Sequence, residues 1–115
     1  MFSEINIPNE QFDKQMNGYV YLLTDGELYK IGVTRGSIEN RIKKLQTGNP
    51  YEICIVDYFA TDNPFKLEKM LHNKHSLKRV NNEWFALEAC DVRNFKSDCE
   101  KFVSIMDALK DNPFF

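Results

Sequence analysis

Apolar and polar positions alternate over residues 18–34, "GYVYLLTDGELYKIGVT". A period of two places Val20, Leu22, Tyr29, Ile31 and Val33 on one side of an extended chain. Tyr19, Tyr21, Lys30, Gly32 and Thr34 fall on the other side. The Asp25-Gly26 pair between the two runs is a hairpin signal, because a primed two-residue turn needs positive φ and glycine supplies it without a steric cost. The pattern therefore predicts strand, tight turn, strand, with Thr24 facing Glu27 and Tyr21 facing Lys30, Cβ atoms about 4.5–5.5 Å apart. The first set is a core face. The second is mixed and carries a phenol and an amine, which a solvated sheet face with lysine lying over tyrosine also explains.

Further along, "SIENRIKKLQT" predicts a helix from 37 to about 46, capped by Ser37, with Glu39 in its first turn and Lys43 and Lys44 near its end. "YEICIVDYFA", 51–60, is β-branched and aromatic and predicts a third strand. Pro64 behind Asp62 and Asn63 opens a second helix over about 64–78. "EWF" reads as a short extended piece. From Asp91 onward, Val92, Phe95, Cys99, Phe102, Val103, Met106 and Leu109 recur at helical spacing. The order predicts an α+β fold, a small, mostly antiparallel three-stranded sheet flanked by helices. Residues 1–17 form an N-terminal arm, 18–87 the core, and 88–115 a C-terminal helix packed on that core within the same domain. Its apolar stripe, with Phe114 and Phe115 beyond it, is expected to pack on the core.

The second predicted helix carries a further pattern. At about 100° per residue, Leu67, Met70, Leu71 and Leu77 point one way. Glu68, His72, His75 and Arg79 fall in a sector about 60° wide at the edge of that stripe. Such a line is a solvated flank or a chemical site. As a metal site, Glu68, His72 and His75 could all be ligands, but the spacing is not His-x-x-x-His and no third nitrogen is evident, so zinc is disfavoured.

Composition narrows the partners. The chain has 115 residues, 43% hydrophobic and 28% charged, enough for one domain with a closed core. No apolar run approaches the roughly 20 residues of a membrane span, and "MFSEINIPNE" lacks a signal-peptide apolar region, so a cytoplasmic protein is expected. Three cysteines without a Cys-x-x-Cys pair suggest neither a disulfide framework nor a cysteine zinc site; Cys54, Cys90 and Cys99 are read as small buried residues. Net charge is −2, yet residues 18–80 hold ten Lys/Arg against seven Asp/Glu, between acidic ends. That middle permits local phosphate binding without amounting to a dedicated basic patch.

Taken in order, "YVYLL", "YKIG", Arg41, "LEKMLH" on a helix and "EWF" resemble the GIY-YIG nuclease superfamily, closest to its compact branch in phage and prokaryotic open reading frames. The match covers roughly residues 18–87. The resemblance implies a metal-dependent endonuclease that hydrolyses phosphodiesters, with nucleic acid as partner and DNA the expected one. Tyr21 matches the tyrosine of GIY, Lys30 takes the place of the tyrosine of YIG, Gly32 matches its glycine and Arg41 the family's arginine. Glu68 matches the glutamate that binds one divalent cation, Mg2+ or Mn2+. With Lys30 close enough to lower its pKa, Tyr21 would accept a water's proton, Arg41 would clamp the phosphate, and His72 would assist as an acid or behind the ligand. Tyr19, Gly32, Lys44, His75 and Arg79 are the expected substrate contacts. Two departures stand out: Tyr-Val-Tyr replaces Gly-Ile-Tyr, and the late asparagine of many members is not evident, with Glu83 standing nearby. No appended DNA-binding domain is seen, so a protein partner is one source of specificity. The alternative is an inactive member of the fold serving as a nucleic-acid or protein adaptor.

Overall fold

The computed structural model describes residues 17–110; residues 1–16 of the arm expected over 1–17, and Phe114 and Phe115 beyond the apolar stripe, lie outside them. The chain runs through strand β1 (Gly18–Thr24), strand β2 (Tyr29–Thr34), helix α1 (Ile38–Gln46), strand β3 (Cys54–Thr61) and helix α2 (Pro64–Lys74). It continues through a 3-10 turn (Ser76–Lys78), strands β4 (Arg79–Asn81) and β5 (Trp84–Phe85), and helices α3 (Ala89–Arg93) and α4 (Phe95–Leu109). The fold is α+β, and its sheet has five strands in the order β3-β1-β2-β5-β4, every pair antiparallel. The two strands beyond the expected three are the arms of one short hairpin. Asn82, at φ 42°, makes its turn in the left-handed region that asparagine tolerates.

The sheet is covered on both faces. Val20, Leu22 and Ile31 pack with Leu67 and Leu71 of α2, Phe85 of β5, and Phe95, Cys99 and Met106 of α4. On the other face Tyr19, Tyr21 and Leu23 pack with Ile38 and Ile42 of α1 and with Ile53. The face predicted as mixed is thus a second core, roofed by α1.

The hairpin register corrects the sequence expectation. Tyr21 lies opposite Gly32, and Lys30 opposite Leu23. The loop is Asp25 to Leu28 rather than Asp25-Gly26 alone, because the Asp25 carboxylate accepts from the amides of both Glu27 and Leu28 (2.9 and 2.8 Å). Thr24 Oγ1 then donates to the Leu28 carbonyl. Gly26 still supplies the positive φ, 103°. Two extra loop residues shift the pairing by an even number, so no side chain changes face.

Three smaller expectations change as well. Helix α2 stops at Lys74, four residues early, and the turn after it carries Leu77 out of the apolar stripe to full exposure. The last helix is broken at Asn94, where α3 ends and α4 begins. Cys90 is exposed and Cys54 half-buried, so only Cys99 is a buried cysteine.

Candidate active site

The site forms where a strand stops short. β5 pairs with β2 only at Tyr29 and Lys30, and the ladder ends one bond later, with the Ile31 amide donating to the Glu83 carbonyl (3.2 Å). The Ile31 carbonyl points the same way and is taken by His72 Nε2 at 2.8 Å. A carbonyl can only accept, so Nε2 carries the proton and Nδ1 presents a lone pair. The Arg79 guanidinium donates to that lone pair at 3.3 Å. His72 therefore has both ring nitrogens committed to the protein. It bridges α2, β2 and β4.

Around this edge the candidate residues gather. The Tyr21 ring lies across Gly32; a Cβ there would collide with the ring and the hydroxyl, so the position requires glycine. Arg41, on the exposed side of α1, donates from Nε to the Tyr21 hydroxyl at 3.3 Å. α1 is anchored for this by Ile38 and Ile42 in the core and by Ser37, whose side chain accepts from the Asn40 amide. Lys30 is buried, its ammonium 2.9 Å from Glu83 Oε1 and 5.8 Å from the centre of the Trp84 ring.

Glu68 comes from α2, between the core anchors Leu67 and Leu71. Its Oε2 is buried and has no hydrogen-bond partner. Burial first, and then the neighbouring charge of Glu83, push its carboxyl up from 4.5 to about 7, against the opposing pull of Lys30 and Arg41. Glu68 thus lies in the field of Lys30, Arg41 and Glu83 together. α2 covers the Val20 face, so it meets them at the sheet edge and not across the face that bears Tyr21.

Tyr21 departs from expectation in its electrostatics. Burial raises its pKa, and the hydrogen bond and charge that oppose this come from Arg41, not from Lys30. The two-residue shift in register separates Tyr21 from Lys30 and leaves the phenol to the guanidinium.

The expected substrate contacts divide. Lys44 is exposed and lines a cavity with Thr34, Gly36, Ser37, Asn40 and Arg41, one helical turn from the Tyr21 hydrogen bond. Arg79 is exposed, behind His72 and over the Phe85 ring at 5.3 Å. Tyr19 is buried in the α1-side core, edge-on to Tyr58 at 5.8 Å. His75 is buried where α2 ends, 6.5 Å from the Phe85 ring, and burial lowers its pKa. His75 thus lies away from the cluster, whereas Tyr19 shares the α1-side core with Tyr21.

Glu83 is the residue that the sequence left unassigned. It occupies the turn of the β4–β5 hairpin beside Asn82, so one residue gives its backbone to Ile31 and its side chain to Lys30. The signal was "NNEWF", an asparagine pair of turn-forming type directly before an apolar extended piece.

Among the described residues no helix is long and apolar enough to cross a membrane. No curated protein and no solved structure matches the chain. The profile of the T5orf172 domain matches residues 18–102, which takes in the whole sheet and every residue of the cluster. That domain is phage-associated and of the GIY-YIG/HNH-like nuclease type. With nearly three-quarters of its length matched, the chain belongs to the T5orf172 domain family.

Proposed function

We propose that this protein is a metal-dependent endonuclease that hydrolyses phosphodiester bonds in DNA. The observation that carries this reading is the buried, unpartnered Glu68 oxygen at an edge shared with Lys30, Arg41 and Tyr21. A carboxylate left without a partner in such a place is destabilising unless it holds a cation or a proton.

The residues fit a hard divalent ion. Among the described residues no group of three or more His, Cys, Asp or Glu could hold a metal, so a protein-made cage is absent there. Mg2+ prefers one or two carboxylates and fills its other positions with water and phosphate, and Glu68 supplies that anchor. Bound there, Mg2+ or Mn2+ would supply charge neutralisation at the phosphate and its leaving oxygen.

The chain's own groups do the rest. Arg41 spends Nε on Tyr21, which leaves its two terminal nitrogens for phosphate oxygens. Lys30 brings a fixed positive charge for the crowded transition state. Tyr21, kept neutral at ordinary pH by burial, orients the attacking water with its hydroxyl; its phenolate, whose fraction grows as pH rises, is the form that accepts the water's proton. Gly32 keeps the ring flat against the strand.

Purified protein incubated with supercoiled plasmid and Mg2+ or Mn2+ should convert it to the nicked form, and Glu68→Ala should abolish this. No nicking, or equal nicking by Glu68→Ala, refutes the reading. The acidic ends of the chain favour a second one, a non-catalytic module of the same fold that binds nucleic acid or protein. DNA binding without cleavage, with affinity falling steeply as salt rises, would establish it for nucleic acid. Salt-independent binding to a protein would instead identify an adaptor.

A further inference from the structure

We propose that Glu83 is the positioning residue of this site: its carboxylate holds the Lys30 ammonium at the open strand edge in the orientation that meets phosphate. The proposal rests on the hydrolytic reading above and adds a residue and a role to it.

The geometry supports it at both ends of Glu83. The backbone carbonyl accepts from the Ile31 amide at 3.2 Å, and the side-chain Oε1 accepts from Lys30 Nζ at 2.9 Å. The residue is thereby referenced to the strand that carries Lys30 before it touches the ammonium. Asn82 fixes the approach, since its left-handed conformation turns the chain sharply at the residue before Glu83, which lies beside the edge of β2. The Lys30 side chain is 10% exposed against 40% for Glu83. The amine is thus the inner partner and the carboxylate the outer one.

Burial makes the pair matter. A lysine stem has several rotatable bonds and would otherwise sample many positions, so a single short ion pair selects one of them. An ammonium has three donors. One is spent on Glu83, which leaves two directions for oxygens of an incoming phosphate, and the Trp84 ring closes another side. Removing the carboxylate would strand a buried cation, which is strongly unfavourable, and the lysine would swing toward water. The opposite role, a latch that competes with phosphate for Lys30, predicts the reverse effect on rate.

The test uses the full chain and four variants: Glu83→Gln, Glu83→Asp, Lys30→Met and the Glu83→Gln/Lys30→Met double variant. Plasmid nicking with Mn2+ gives the first readout. Glu83→Gln should slow nicking about tenfold or more, in the range typical of groups that orient an active residue. Glu83→Asp should recover part of the loss, because it keeps the carboxylate. In the Lys30→Met background, Glu83→Gln should change nothing further, since its effect runs through the lysine. The second readout needs no catalysis: the proton-coupled 15Nζ resonance of Lys30 should be observable in the wild type at low temperature and lost in Glu83→Gln. A rate increase in Glu83→Gln, an additional loss in the double variant, or a Lys30 resonance indifferent to Glu83 overturns the proposal. Wild-type protein that nicks nothing while its Lys30 resonance depends on Glu83 removes the hydrolytic reading and leaves the positioning of Lys30 supported.

Discussion

Replacing Glu68 with glutamine should make the protein more stable above neutral pH and leave it nearly unchanged at pH 5. The unfolded chain releases this proton near 4.5, whereas the folded chain keeps it until about 7. Below 4.5 both states hold the proton, and no penalty exists. As pH climbs from 4.5 to 7, the folded state must be protonated or carry a buried charge, so stability falls through that window and the loss is complete above it. At about 1.4 kcal/mol per tenfold in proton affinity, the ceiling is about 3 kcal/mol. Glu68 is only half-buried, and solvent screening brings the expected loss to about 1–2 kcal/mol. Urea denaturation of wild type and Glu68→Gln at pH 5 and pH 8 isolates it, because the amide does not titrate and every other group is common to both proteins. The difference between the two proteins should grow by most of that amount between the two pH values, since a small part of the loss is already present at pH 5. Millimolar Mg2+ at pH 8 should raise the midpoint of the wild type alone, by mass action on the folded state. A stability difference that is the same at both pH values would refute the argument that Glu68 is a buried, uncompensated carboxyl.

Gly32→Ala should destabilise the fold by about 1–3 kcal/mol in urea denaturation, because its Cβ meets the Tyr21 ring and hydroxyl, and should abolish plasmid nicking. Arg41→Lys keeps the charge but loses the fork; nicking should drop at least about tenfold while stability in urea changes by less than about 0.5 kcal/mol, as the residue is exposed. Leu77→Asp should leave stability within about 0.5 kcal/mol, whereas Leu71→Ala, from the same apolar stripe of the sequence, should lower it by about 2–5 kcal/mol.

Much of the architecture was legible because it depends on short-range rules. The period-two pattern of 18–34 assigns faces, and an even register shift cannot disturb that assignment. Ser37 caps α1 as its type and position predict. What escaped depends on single side chains competing for backbone. The Asp25 carboxylate takes two amides, and the loop lengthens at the expense of the Tyr21–Lys30 pairing. The turn after Lys74 breaks the helical phase that had aligned Leu77 with Leu67 and Leu71, and His75 and Arg79 with Glu68. The hairpin of β4 and β5 rests on three exposed residues and two apolar ones, too short for any periodicity to show. Of the candidate site, the cluster of Tyr21, Lys30, Gly32, Arg41 and Glu68 could be named from their order along the chain. Their electrostatic partners could not, since the pairing of Lys30 with Glu83 spans 53 residues.

The shortness of β5 has a consequence for the life of the molecule in concentrated solution. An unpaired strand edge is a template on which another chain can add its own strand. Here the first carbonyl that would invite such growth is filled by an imidazole, and the ground beside it is fenced by an amine, a guanidinium and a buried acid. A β5 longer by two residues would run its ladder over Gly32 and close the opening. A bare edge of the same length would leave β2 ready to join a neighbouring copy. The groups of the candidate site therefore also end the sheet, and substitutions that make it apolar should be watched for self-association as well as for loss of the proposed cleavage.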